Sequence, residues 1–125
     1  MLEKAIEIRE KAYAPYSHFK VGCCILTDKG NSYVGCNVEN ISYGLTLCAE
    51  GSAIAAMISA GEKHIAEVTV ISSGNEICPP CGACRQRIAE FGQENTLIHM
   101  YNNSKEKKMT CSLKELLPYS FNTLD

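Results

Sequence analysis

The sequence predicts an α/β fold, a three-layer α/β/α sandwich on a mixed sheet of about five strands, and three observations carry that expectation. Segments with helical periodicity alternate with runs of strand formers along the chain, the pattern of a sheet covered on both faces. The strand-like runs are short and are bounded by turn residues such as Asp28-Lys29-Gly30-Asn31. The 125 residues, 46% hydrophobic and 21% charged, contain no repeat, linker or low-complexity stretch, so residues 1–125 form one domain with a single core.

Each element has its own signal. Leu2, Ala5, Ile6, Ile8 and Ala12 lie between charges, an amphipathic helix over residues 2–12 that Pro15 ends and that covers one sheet face. Residues 19–27 are the first strand and residues 32–39 its hairpin partner. An alanine-rich helix begins after Cys48 and runs to a glycine stop at Gly61. Residues 66–73 read as a buried strand, and a third helix follows Cys84 up to Gly92. Residues 96–101 and 109–111 are the last strands, with the charged stretch 102–108 as a solvated hairpin tip. Ser112 and Glu115 make a capping box for a short final helix ending at Pro118.

Composition narrows the function. A net charge of −2 gives no basic footprint for nucleic acid or an anionic membrane surface, so a small neutral ligand fits better than a polyanion. Charges at Glu3, Lys4, Glu7, Arg9 and Glu10 interrupt the N-terminal segment, and no apolar run approaches the roughly 20 residues of a membrane span; a cytoplasmic protein is expected. The eight cysteines then read as metal ligands and small core residues, with Cys23, Cys24, Cys36 and Cys111 in strand patterns.

The chemistry concentrates in two stretches, Thr46-Leu47-Cys48-Ala49-Glu50 and Pro80-Cys81-Gly82-Ala83-Cys84, each at the start of a helix. Helix N-termini favour thiolates, and Cys48, Cys81 and Cys84 are a zinc ligand set with one position left open, as in catalytic sites. Taken alone, the C-x-x-C spacing fits a redox pair or structural zinc equally well, and Cys78 is an available fourth ligand for a closed Cys₄ site. The acid in Cys48-Ala49-Glu50 shifts the balance, because a structural site has no need of a carboxylate beside a ligand; Cys78, held off by two prolines, is taken as a bystander. Cys48 and Glu50 would diverge by about 200° within a regular helix, so Glu50 faces the metal only if Cys48 lies at the helix end. A non-ligand Glu beside a Cys₃ zinc site, with a P-C-x-x-C second half, matches the pattern of nucleobase deaminases.

The chain resembles the cytidine deaminase family in its short, all-cysteine, homotetrameric form. The resemblance runs through Ala14-Pro15-Tyr16-Ser17, Phe19-Lys20-Val21-Gly22, Gly35-Cys36-Asn37-Val38-Glu39-Asn40, Cys48-Ala49-Glu50, Pro80-Cys81-Gly82-Ala83-Cys84-Arg85-Gln86 and Leu116-Leu117-Pro118 with Phe121, in the family's order over nearly the full length. It implies zinc-dependent hydrolysis of cytidine and 2'-deoxycytidine to the uridine forms with release of ammonia, in pyrimidine salvage. By the same resemblance Cys48, Cys81 and Cys84 hold Zn²⁺, Glu50 carries protons, the Ala49 backbone reads the base edge and Phe19 packs on the base. Asn37 and Glu39, a pair that by itself is ordinarily a solvated strand edge, hold the ribose. Ile41, Tyr43 and Phe121 reach a neighbouring subunit's site in a homotetramer. The family commonly carries arginine right after the catalytic Glu to offset the charge of three thiolates; here that residue is Gly51, leaving Arg85 or helix-end amides to compensate, or a slower catalyst. The rival readings are a deaminase of another cytosine nucleoside such as blasticidin S, and a non-catalytic zinc-stabilised binding module.

Overall fold

The computed structural model describes residues 1–124. The elements are α1 (Leu2–Arg9), β1 (Val21–Thr27), β2 (Ser32–Cys36), α2 (Ala49–Ser59), β3 (Ile65–Ser72), α3 (Gly82–Phe91), β4 (Leu97–Tyr101), β5 (Lys108–Ser112) and α4 (Leu113–Leu116), with a 3₁₀ turn at Tyr43–Leu45. The sheet order is β2-β1-β3-β4-β5. β3 and β4 run parallel, joined by a crossover through α3, and the other neighbouring pairs are antiparallel. The mixed five-stranded sheet expected from the sequence is therefore present.

Strand geometry explains why β1 reads as a continuous apolar run. Alternate side chains point to opposite faces, and both faces of β1 are buried. Cys23 and Ile25 join Val68 and Val70 of β3, Ile98 and Met100 of β4, Ala53, Ile54 and Met57 of α2 and Ile88 of α3 in the main core. Cys24 points the other way and meets Ala5 of α1 and Ile71 of β3 in a smaller second core. α1 covers that face, and α2 and α3 cover the main one. Each fully buried side chain of Ile or Met size contributes roughly 1.5–3 kcal/mol relative to exposure, so the larger cluster holds most of the stability and also anchors the two helices that carry the cysteine motifs.

Two glycines set the spacing of the layers. A Cβ at Gly22 would stand 2.0 Å from the Ala5 carbonyl oxygen, so α1 rests directly on the β1 backbone. A Cβ at Gly35 would stand 2.3 Å from the Ala53 nitrogen and 2.7 Å from the Ala49 oxygen, so α2 lies equally close on β2. The small residues Ala49, Ser52 and Ala53 of α2 face this contact.

Two elements are shorter than expected, for a common reason. α1 ends at Arg9 rather than Ala12, and β2 at Cys36 rather than Glu39. Tyr13 and Leu47 flank the segment 37–39 instead: Tyr13 N donates to Asn37 O (3.0 Å), Glu39 N to Tyr13 O (2.8 Å), and Val38 and Leu47 exchange two bonds of 2.9 Å. This short ladder pairs Val38 and Glu39 with Tyr13 and Leu47 instead of β1, while Asn37 keeps a bond from its backbone N–H to Val21 O (3.3 Å). Arg9, buried at the end of α1, donates to Ser72 O (3.0 Å) and Asn103 Oδ1 (3.1 Å), tying α1 to the end of β3. The capping box of α4 forms as expected, with Ser112 and Glu115 each bonding the other's backbone N–H (3.2 and 2.9 Å).

Candidate active site

α2 and α3 begin side by side, and their first residues build the site. Cys48 is the N-cap of α2, in extended backbone at φ −78°, ψ 157°, and its sulfur accepts a hydrogen bond from Gly51 N (3.3 Å). Because the cap residue lies outside the helix, Glu50 is not forced to the opposite side, which resolves the 200° divergence. Cys81 is the N-cap of α3 and Cys84 lies one turn in. The sulfurs of Cys48 and Cys84 are 2.7 Å apart, and one ligating atom from each of Cys48, Glu50 and Cys84 falls within 4.8 Å of the others. Cys81 stands outside this trio with an exposed side chain, and Cys78, half-buried, lies against the Pro79 carbonyl.

The electrostatics favour one negative charge on the sulfur pair. The thiol hydrogen bond from Cys84, followed by the Gly51 amide and the Arg87 guanidinium, holds Cys48 below the ordinary thiol range against the effect of burial. Cys84 is pushed the other way by that same hydrogen bond, by burial and by the negative charges of Glu50, Cys48 and Cys81. The two thiols are thus driven in opposite directions, Cys48 toward the thiolate and Cys84 away from it. Glu50 is 5% exposed, and burial, reinforced by the Cys48 charge, raises its carboxyl to about 7. A carboxyl that changes protonation near neutral pH is suited to receiving and returning protons.

Two arginines of α3 behave differently. Arg85 donates to the carbonyls of Pro80 and Leu116 (2.8 Å each) and so fixes the start of α3 against the end of α4. Arg87 is the one beside the sulfurs, with Nη1 3.4 Å from Cys48 Sγ and 3.8 Å from Cys84 Sγ. The sequence reading named Arg85 and missed Arg87. The signal was present, since residues three apart on a helix share a side and Cys84 and Arg87 have that spacing.

The remaining candidates make contacts of their own, apart from the sulfurs. Asn37 donates from Nδ2 to Phe19 O (2.8 Å) and accepts Val21 N at Oδ1 (2.9 Å). Glu39 accepts the backbone N–H groups of Tyr16 (3.0 Å) and Ser17 (3.1 Å) and the Ser17 hydroxyl, and the Ser17 hydroxyl bond leads the causes that hold its carboxyl below the usual range. Both side chains therefore shape the 16–21 loop. His18, in left-handed backbone at φ 59°, turns that loop just before Phe19, whose ring abuts Gly74. Ala49 is buried at the start of α2. Ile41 (80% exposed), Tyr43 (74%) and Phe121 (66%) lie bare on the surface of the single chain, with the Phe121 carbonyl accepting from Gln86 Nε2 (2.8 Å) of α3.

Residues 1–100 match the family described as the cytidine and deoxycytidylate deaminase zinc-binding region. The chain belongs to this cytidine deaminase family. Its curated relatives include the cytidine deaminase of Halalkalibacterium halodurans, 38% identical over 125 residues that are 100% of this chain and 94% of the relative. That of Mycoplasma genitalium is 40% identical over 115 residues, 91% of this chain and 87% of the relative. The crystal structure of cytidine deaminase from Burkholderia pseudomallei superposes with a TM-score of 0.89 at 41% identity, covering 95% of this chain and 94% of that one. That from Mycobacterium tuberculosis gives 0.83 at 37% identity, covering 97% and 94%.

For a member of the cytidine deaminase family the donor set is chemically apt for zinc. Two sulfurs converge between two helix N-termini, a third cysteine stands at the N-cap position of the second helix, and zinc would take these groups as thiolates, with release of their protons. Cys23, fully buried beneath the site, has its thiol raised well above the ordinary range, first by burial and then by Glu50, and so remains a small core residue.

Proposed function

We propose that this chain catalyses hydrolytic deamination of cytidine, and of 2'-deoxycytidine, to the corresponding uridine with release of ammonia, using one zinc ion held by Cys48, Cys81 and Cys84. The observation that carries this reading is Glu50, a buried carboxyl with an oxygen within 4.8 Å of two cysteine sulfurs. Zinc at these sulfurs supplies a Lewis acid that makes water acidic near neutral pH. Glu50 moves the protons. As the water oxygen bonds to C4 of the ring, Glu50 takes one of its protons and delivers it to N3; it then carries the second to the amine as the C4–N bond breaks, so that one water is consumed and one ammonia leaves.

The neighbouring residues supply orientation. The Ala49 backbone meets the polar edge of the base, Phe19 packs on its ring, and Asn37 and Glu39 hold the sugar hydroxyls; their bonds to the 16–21 loop keep those two side chains ordered before substrate arrives. Ile41, Tyr43 and Phe121, bare in the single chain, pack over the site of an adjacent subunit in a homotetramer. Among the described residues no helix is long and apolar enough to cross a membrane. The activity proposed here belongs to cytoplasmic pyrimidine salvage.

The experiment is to measure zinc per chain and follow the loss of cytosine absorbance with cytidine. One zinc per chain and turnover abolished by chelation are expected. A zinc-loaded protein that leaves cytidine intact overturns the reading, whether it consumes another cytosine nucleoside or none.

A further inference from the structure

Three thiolates around Zn²⁺ carry a net charge of −1, and an uncompensated excess both invites proton competition for the sulfurs and weakens the metal as a Lewis acid. The chain contains no basic residue directly after Glu50, where Gly51 stands. A Cβ at Gly51 would lie 3.2 Å from Cys48 Sγ and 3.7 and 3.8 Å from Cδ and Nε of Arg87. The arginine stem therefore passes within van der Waals reach of the place where a side chain at position 51 would begin. Its guanidinium reaches both sulfurs, at 3.4 and 3.8 Å. Among the described residues no other cationic side chain hydrogen-bonds to these sulfurs, since Arg85 is committed to the Pro80 and Leu116 carbonyls.

We propose that Arg87 is the charge-balancing residue of this metal site, reaching from α3 through the space Gly51 leaves at the start of α2, so that Gly51 and Arg87 form a matched pair. The proposal rests on the zinc deaminase reading above. It makes Arg87 a positioning residue that acts through the ligands without touching the nucleoside. A guanidinium suits the role because it stays charged throughout the working pH range and its fork can address two sulfurs at once. Glycine at 51 has the complementary task, giving an amide N–H to Cys48 (3.3 Å) while adding no bulk under the arginine.

The matched pair is tested in the zinc-loaded protein with Arg87→Met, Arg87→Lys and the double variant Gly51→Arg/Arg87→Met. Arg87→Met keeps a long apolar stem and removes the charge. It is expected to lose zinc to a competing chelator about 10–100-fold faster and to lower kcat by a similar factor with KM for cytidine little changed, the range typical of groups that support metal ligands. Arg87→Lys retains the charge and should fall between Met and the wild type in both measurements. The double variant moves the cation to the other side of the same gap and should recover much of the zinc retention lost in Arg87→Met. Zinc retention and kcat in Arg87→Met equal to wild type, equal losses in the Met and Lys variants, or a folded double variant no better than Arg87→Met each overturn the proposal. Wild-type protein that binds no zinc or spares cytidine is a separate result, because that fails the functional reading itself.

Discussion

Cys48 combines two roles, cap and candidate ligand, and Glu50 depends on that combination. With Cys48 outside the helix, the carboxyl two residues on turns inward beside the sulfurs. Glu50→Gln should keep zinc and fold while turnover drops about 10²-fold or more, the range for losing general acid–base help; a zinc assay and an absorbance assay on the same sample read both. Cys78→Ser should retain full zinc and activity, since Pro79 and Pro80 hold Cys78 off from Cys81 and its thiol lies against the Pro79 carbonyl; loss of metal in that variant would make it a ligand after all. In metal-free protein the Glu50 carboxyl is raised from 4.5 to about 7, so between those values the unfolded chain binds fewer protons than the folded one. Stability from this group therefore falls as pH rises through the window, with the cost complete above about 7. Between pH 4.5 and 6, urea midpoints of the chelated wild type should decline relative to chelated Glu50→Gln by the equivalent of about 2 kcal/mol.

At the scale of elements, the site exists because α2 and α3 present their N-termini to each other, and the close approach at Gly35 sets the seat of α2. Gly35→Ala puts a methyl group 2.3 Å from the Ala53 nitrogen and 2.7 Å from the Ala49 oxygen, backbone atoms that cannot rotate away. Overpacking of this kind costs about 1–3 kcal/mol, and here it lifts the helix carrying Cys48 and Glu50. A lower urea midpoint together with weaker zinc retention is the expected result, and a shift in stability alone would separate helix seating from the site. The helices were legible in the sequence because glycine stops and the cysteine starts bracket them. Their precise neighbours were not: Arg87 shares a helix with Arg85 and differs only in which way α3 turns each side chain, so Arg85 meets α4 while Arg87 meets α2.

At the scale of the molecule, the single chain leaves Ile41, Tyr43 and Phe121 bare, and the outer side of α2 exposes Ala55 and Ile58. The shared-site proposal gives these exposed side chains a partner surface in the assembly. Truncation before Phe121 should raise KM for cytidine with zinc content unchanged, and mixing that chain with Glu50→Gln chains should restore some sites to full affinity; active protein that sediments as a monomer would end the shared-site proposal. The alternation of helices and strands, the buried run of β3, the cysteine starts of α2 and α3 and the capping box of α4 are local patterns, and the sequence alone determined them because periodicity and capping act within a few residues. The turn of Val38 and Glu39 away from β1, the opposed pull on the Cys48 and Cys84 thiols, the raised carboxyl of Glu50 and the place of Arg87 beside Gly51 were decided only by the tertiary structure. Each depends on distances and burial between segments far apart in the chain, which no local pattern encodes.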